Sequence, residues 1–301
     1  MRLLITGATG QVGWELARSL MPLGEVVSID RTRCDFSRPE TLAPVMREIR
    51  PDVIVNAAAY TAVDRAEKEE SLATVVNGAA VGVLAEEAKK TRALLIHYST
   101  DYVFDGAKTE PYVEDDAPGS INAYGRSKLA GETAIRTIDC DHVILRTTWV
   151  YAARGQNFVK TILRLARERD ELNIVADQIG APTCARYIAD TTAHVIRQVR
   201  QERLAEKFAS GTYHLTATGT TSWHGFAVAI VQSAARQGLL DPNRLPKINP
   251  IPTQAYPLPA ARPANSRLDC QRLRNRFDIM QPDWRHALEC VIEDLASGGK
   301  A

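Results

Sequence analysis

The chain opens on a short, largely apolar run, Arg2–Thr6, with no polar alternation, and runs of the same kind recur at Glu25–Asp30, Val53–Asn56, Leu94–Ser99 and Val143–Arg146. Between them lie segments of helical period at Val12–Leu20, Pro39–Ile49, Ser71–Lys90 and Tyr124–Arg136. Strands that are apolar throughout, separated by helices, predict a parallel sheet covered on both faces. The expected fold class is α/β, a doubly wound parallel sheet of Rossmann type with a smaller, mixed second domain.

The second half is less regular. Its pattern predicts a helix at Asn157–Arg169, a strand at Leu172–Val175, a helix at Ile188–Gln201, a strand at Thr212–Thr216 and a last helix at Trp284–Ala296. Six of the fifteen prolines fall between Pro246 and Pro263, so that stretch is expected to be extended and loop-like. Ser297–Ala301 reads as a frayed tail. The expected division is 1–150 with about 187–220 for the dinucleotide-binding domain, and 151–186 with 221–301 for the second.

Composition narrows the function classes. At 301 residues the chain is long enough for a large core, and its formal charge of +1 provides no general field for nucleic acid or an anionic membrane. No apolar run approaches the roughly 20 residues that span a bilayer. Five scattered cysteines, Cys34, Cys140, Cys184, Cys270 and Cys290, lack the paired spacing of a metal or disulfide framework. A cytoplasmic protein with reduced thiols and no metal is expected.

Chemistry enters at Ile5-Thr6-Gly7-Ala8-Thr9-Gly10-Gln11-Val12-Gly13, where glycines recur between a strand and a helix. A pyrophosphate needs backbone N–H groups close by at a helix N-terminus, and only glycine lets the chain come that near. Asp30 ends the next strand about 20 residues on, where a ribose-binding carboxylate belongs. It favours NADH, whereas Arg31 and Arg33 are suited to a 2′-phosphate, so the cofactor is NADPH or NADH.

Asn122-Ala123-Tyr124-Gly125-Arg126-Ser127-Lys128 carries Y-x-x-x-K. On a helix the two side chains share a face, and a cation beside a phenol lowers its pKa toward a useful range. Thr100, at the end of the fourth strand, supplies a hydroxyl at the carboxyl edge of the sheet, where ligands bind in such folds. Tyr124, Lys128 and Thr100 are the candidate catalytic residues.

With these residues in order, the chain resembles the extended short-chain dehydrogenases and, within them, the dTDP-4-dehydrorhamnose reductase family. The likeness runs nearly end to end, through ITGATGQVGWEL, RPDVIVNAAAYTAVDRAE, HYSTDYVFDG, YGRSKLAGE, LRTTWVYA, NFVKTILRLA, QIGAPT, YHLTATGTTSWH and RPANSRLD. The resemblance implies reduction of a dTDP-linked 4-keto-6-deoxyhexose, giving dTDP-L-rhamnose, a precursor of bacterial surface sugars. It implies that Gly7, Gly10, Gln11 and Val12 line the cofactor phosphates, and that Asp35, Phe36, Ala57, Ala58, Ala59, Tyr60, Thr61 and Tyr98 lie along the dinucleotide. Thr100, Asp101 and Trp149 would contact the sugar nucleotide, although Trp149 also reads as a core aromatic. Asn77 matches a structural asparagine, and Arg262 and Asn265 would lie near the substrate pocket.

One departure stands out. Some relatives are thought to dimerise through magnesium held by three glutamates; here Glu15 matches, but the other two positions are Arg186 and Asp294. An arginine repels a cation rather than ligating it, so magnesium is not expected and the state is a monomer or weak homodimer. Among rival functions, a dehydratase would need a glutamate after the strand-end Thr100-Asp101, where Tyr102 stands. An epimerase shares the fold, but STDYVFDG and RPANSRLD resemble reductases more closely. A regulatory, non-catalytic module, like the regulatory subunit of methionine adenosyltransferase, would have no chemical use for Thr100, Tyr124 and Lys128 together.

Overall fold

The computed structural model describes residues 1–298. Of the expected tail, Ser297 and Gly298 continue the last helix, and Gly299–Ala301 lie outside the described residues.

The chain alternates strand and helix through its first half: β1 (Arg2–Thr6), α1 (Gln11–Ser19), β2 (Glu25–Ile29), α2 (Leu42–Ile49), β3 (Val53–Asn56) and a short α3 (Val63–Ala66). Next come α4 (Glu70–Thr74), α5 (Ala80–Thr91), β4 (Leu94–Thr100), α6 (Ala123–Ile138) and β5 (His142–Thr147). The predicted single helix Ser71–Lys90 is interrupted, because a π turn at Val75–Ala79 joins α4 to α5.

The second half supplies β6 (Val150–Tyr151), α7 (Phe158–Glu168), β7 (Glu171–Val175), β8 (Ile179–Gly180), β9 (Thr183–Cys184) and α8 (Ala185–Leu204). It ends with β10 (Gly211–His214), β11 (Thr221–Ser222), α9 (Trp223–Arg236), β12 (Lys247–Ile251), α10 (Gln271–Phe277) and α11 (Trp284–Gly298). Helices α9 and α10 lie where no element was expected. The proline-rich stretch is not all loop either: β12, with Pro250 inside it, runs parallel to β7. That pair forms a two-stranded sheet, so β12 is an edge strand, where a missing proline N–H interrupts no second ladder.

Six parallel strands make the main sheet in the order β10-β5-β4-β3-β1-β2. The chain leaves β1 for one edge and then turns back to β3 and onward to the other edge. The crevice above the carboxyl ends of β1 and β3 is therefore the switch point where such sheets bind ligands.

Leu3, Ile5, Val55 and Ile96 pack on one face with Leu16 of α1, Ile188 and Val195 of α8, and Leu273 and Phe277 of α10. Leu4, Ile54, Leu95 and Ile144 pack on the other with Met46 of α2, Leu84 of α5 and Ile135 of α6. A separate core joins α7, α9 and α11 around Phe226 and Trp284. Among the described residues, no helix is long and apolar enough to cross a membrane.

Candidate active site

The glycine loop sits over the switch point. Gly7 takes φ 68°, and a Cβ there would lie 2.6 Å from the Ala58 nitrogen and 2.7 Å from the Ala57 carbonyl. A Cβ on Gly13 would lie 2.2 Å from the Gly7 oxygen. Side chains at either position would push the β1 loop off β3 or α1 off the loop. Gly10 caps α1 with no side chain, so the first-turn N–H groups stay available to an anion. Gln11 Oε1 accepts from Asn157 Nδ2 at 2.8 Å, tying the loop to the second half of the chain, and Val12 packs into the sheet core.

At the end of β2, Asp30 Oδ1 accepts from the Thr32 backbone at 2.9 Å and its hydroxyl at 2.6 Å, and these bonds hold the carboxyl below its ordinary range. Arg33 pairs with Glu48 at 2.6 Å, and Arg31 lies 3.5 Å from Asp35. Asp35 accepts from Ser37 at 2.8 and 3.0 Å. Phe36 is buried among Cys34, Leu42 and Met46. Ala57, Ala58, Ala59, Tyr60 and Thr61 form the loop after β3, with Ala59 and Thr61 exposed. Tyr98 turns away into the core, where its hydroxyl meets Thr192 of α8 at 2.7 Å.

The start of α6 is pinned beneath the end of β4. Asn122 Oδ1 accepts from the Gly125 N–H at 2.8 Å, capping the helix, and its Nδ2 donates to the Ala261 carbonyl at 2.8 Å. A Cβ on Gly125 would lie 2.0 Å from the Tyr102 oxygen. This close approach brings the Tyr124 ring edge-on to Tyr102, centroids 5.6 Å apart, and its hydroxyl onto Thr100. Burial, and secondarily the Asp101 carboxylate, push the Tyr124 phenol above its ordinary pKa, while the Thr100 bond pulls it back.

Asp101 is buried, with Oδ1 accepting from Thr100 at 3.0 Å. Its Oδ2 makes no hydrogen bond among the described residues. Burial raises it to about 6. Lys128 is also buried. Its Nζ lies 3.3 Å from His97 Nε2, and burial lowers it to about 8 against the opposing pull of Glu132.

Trp149 holds φ 47°, a left-handed conformation unusual for a bulky residue. Its indole stacks on Trp223 at 3.6 Å, and Trp223 Nε1 donates to Gln178 Oε1 at 3.2 Å. Trp223, Gln178, Phe158, Tyr256 and Arg262 line a cavity of about 810 Å³. Sequence reasoning did not place Trp223 or Gln178 there, although both fall in quoted motifs. The rim reaches α6, since Ala261 accepts from its cap residue Asn122.

Arg262 is not a solvated charge. It pairs with Asp64 at 2.8 Å and donates to the Ala260 carbonyl at 2.9 Å. Asn265 spends its amide on the backbone, donating to Lys108 and Glu110 carbonyls at 2.7 and 2.8 Å. Asn77 accepts from the Tyr60 N–H at 2.9 Å and donates to the Tyr60 carbonyl at 3.0 Å and to Ser127 Oγ at 2.9 Å. Away from the crevice, Arg186 lies 3.5 Å from Glu15 and 3.1 Å from Asp294.

The glycine cradle and the open helix terminus fit the phosphates of a dinucleotide. Residues 1–297 match the family described as the RmlD substrate binding domain. A dTDP-4-dehydrorhamnose reductase from Burkholderia thailandensis is 57% identical over 297 residues, covering 99% of this chain and all of that one. The chain belongs to the dTDP-4-dehydrorhamnose reductase family. Its Escherichia coli member is 47% identical, with 98% of each chain covered. A member from Bacillus anthracis, solved in complex with NADP, superposes with a TM-score of 0.85 at 37% identity, covering 97% of this chain and 99% of that one. A UDP-glucose 4-epimerase from Thermus thermophilus, 20% identical with a TM-score of 0.78, shares the fold.

Proposed function

We propose that this chain reduces the 4-keto group of dTDP-4-dehydro-L-rhamnose to give dTDP-L-rhamnose. The observation that carries the proposal is the meeting of a protonated Tyr124 with Thr100 at the carboxyl end of β4, beside a cradle for phosphate. Family membership supports the substrate. The cradle of Gly7, Gly10, Gln11 and Val12, with Asp30 at the ribose, holds the dinucleotide. Bound NADPH or NADH supplies the hydride. Thr100 turns its hydroxyl hydrogen from Asp101 to the substrate carbonyl oxygen, and Tyr124 passes its proton to that oxygen as it becomes an alkoxide. A phenol held protonated by burial suits this donor role. Lys128 fixes the nicotinamide ribose and supports the charge left on Tyr124. Asp101 and Trp149 orient the sugar, and the cavity beside Trp223 takes the nucleotide. In this reading residues 1–150 and about 187–220 bind the dinucleotide, and 151–186 and 221–301 bind the sugar nucleotide.

Tyr124→Phe tests the role. Turnover of the dTDP-keto-sugar, followed by loss of reduced-cofactor absorbance, is expected to fall by roughly 10²–10⁴-fold with cofactor affinity retained. Full activity in that variant removes Tyr124 from the mechanism.

A further inference from the structure

The glycine cradle offers a pyrophosphate dipoles but no charge. Gly7–Gly13 contain no lysine or arginine, so the phosphates of a dinucleotide meet only backbone N–H groups at the start of α1. A cation has to come from a neighbouring segment. Three segments flank the loop: 30–38 after β2, where the Ala8 N–H donates to the Ile29 carbonyl at 3.2 Å; 57–62 after β3, which Gly7 touches; and 152–157, which reaches it through Asn157 and Gln11.

These segments hold four arginines and no lysine. Arg31 lies 3.5 Å from Asp35, Arg33 2.6 Å from Glu48 and Arg38 3.5 Å from Glu40. Arg154 pairs with no carboxylate among the described residues; its guanidinium lies 3.4 Å from the centre of the Trp14 ring. The next residue, Gly155, takes φ 79° and packs on the glycine loop, where a Cβ would lie 3.1 Å from Gln11 Cγ. Trp14 is the fourth residue of α1, so it stands one turn, about 5 Å, from the first N–H groups. The long arginine stem covers that distance by changing rotamer, with the backbone in place.

Arg18 also lies on Trp14, at 3.6 Å. Two guanidiniums this near the ring centre cannot share a face, so the indole is sandwiched between like charges that repel each other. Arg18 is anchored, since its Nη1 donates to the Trp14 carbonyl at 2.8 Å, whereas the Arg154 guanidinium makes no hydrogen bond among the described residues. A cation on an exposed aromatic face is weakly held. On a phosphate the same group makes two charge-assisted hydrogen bonds.

We propose that Arg154 is a cofactor-binding residue: its guanidinium rests on Trp14 and turns onto the pyrophosphate of a bound dinucleotide, adding from the second half of the chain the charge that the cradle lacks. The proposal rests on the glycine cradle as the dinucleotide site and not on which sugar is reduced. A pyrophosphate is common to NADH and NADPH, so the contact serves both. Arg31 and Arg33, at the ribose end, are the residues suited to tell them apart.

Calorimetric titration of the whole protein with NADH and with NADPH is the test. Arg154→Met keeps the stem and removes the charge, and Arg154 is exposed, so the variant is expected to unfold at the parent's temperature. Both cofactors are expected to bind roughly tenfold more weakly, with a flatter dependence of Kd on salt, and Arg154→Lys is expected to recover part of the loss. Unchanged affinity, or a loss confined to NADPH, overturns the proposal. Trp14→Leu separates a phosphate contact from a mere clasp between the 152–157 segment and α1. It removes the resting place and leaves the charge, so affinity is expected to hold or improve. A Trp14→Leu protein that loses as much affinity as Arg154→Met, with the parent's salt dependence, overturns the phosphate contact. A parent that takes up neither cofactor overturns the cradle reading itself, and this proposal with it.

Discussion

Asp101 is a carboxyl group that the fold would hold more comfortably as a neutral one. Burial raises it to about 6, against about 3.9 in an unfolded chain. Below about pH 4 both states keep the proton. As the pH rises toward 6 the unfolded chain releases it while the folded chain does not, so stability contributed at low pH is lost through this window and stays lost above it. Asn keeps the shape without the charge. Asp101→Asn is therefore expected to be more stable than the parent by about 1–3 kcal/mol at pH 7, with the gain vanishing near pH 4, as read by urea unfolding at both pH values. Equal stability at pH 7 would contradict a buried, strained carboxylate. Its Oδ2, without a hydrogen bond among the described residues, is the atom that the proposed function turns toward the sugar. At this scale the sequence was informative wherever chemistry and spacing coincide, as in Gly7, Gly13, Tyr124 and Thr100. It was silent on His97, which reads as one more residue in an apolar strand because its partners come from other elements.

The element scale turns on the π turn at Val75–Ala79. Its Asn77 amide bonds both the N–H and the carbonyl of Tyr60 and reaches Ser127 on α6, so one side chain fastens the loop after β3 to α6. A Cβ on Gly131 would lie 2.2 Å from the Asn77 oxygen, which shows how closely α6 passes the widened turn. Asn77→Ala leaves these partly buried groups without partners. A loss of about 1–3 kcal/mol in urea unfolding is expected, with weaker cofactor binding because the Ala57–Thr61 loop is freed; unchanged stability would show that water replaces the amide. Periodicity alone predicted one regular helix here, since a single extra residue per turn is a response to tertiary packing and leaves no mark on apolar spacing. Strand β12 was missed for the opposite reason. Prolines signal extended backbone truthfully, but whether that backbone pairs depends on β7, more than 70 residues earlier. Of the five main strands before α7, β1, β3, β4 and β5 were legible because each is buried along nearly its whole length, whereas the half-exposed edge strand β2 was legible from its short apolar run alone. Helix α9, WHGFAVAIVQSAAR, has too broad an apolar surface to show one clear face.

On the scale of the whole molecule, the sheet and the α7–α9–α11 core meet at contacts that a glance at either would miss. Asn157 bonds Gln11 of the glycine loop, the Arg154 guanidinium lies 3.4 Å from the centre of the Trp14 ring on α1, and Arg186 at the start of α8 joins Glu15 of α1 to Asp294 of α11. The last contact puts a fixed cation between two carboxylates from different parts of the fold. Because Arg186 and Asp294 are substantially exposed, the pairing itself contributes little, on the order of 1 kcal/mol or less. Its sign can still be reversed. Arg186→Glu would bring a third carboxylate beside Glu15 and Asp294, replacing two attractions with repulsions. The variant is expected to unfold at lower temperature than the parent in chelator, most of all at low salt. Millimolar magnesium should restore part of the loss, because three carboxylate oxygens offer a hard cation the ligands that an arginine denies it. Thermal unfolding of both proteins in chelator and in magnesium is the measurement. The parent curve should be the same in both, since its cation is part of the chain. A parent that loses stability on chelation, or a variant blind to magnesium, would mean that Arg186 does not fill the place of an ion between these helices.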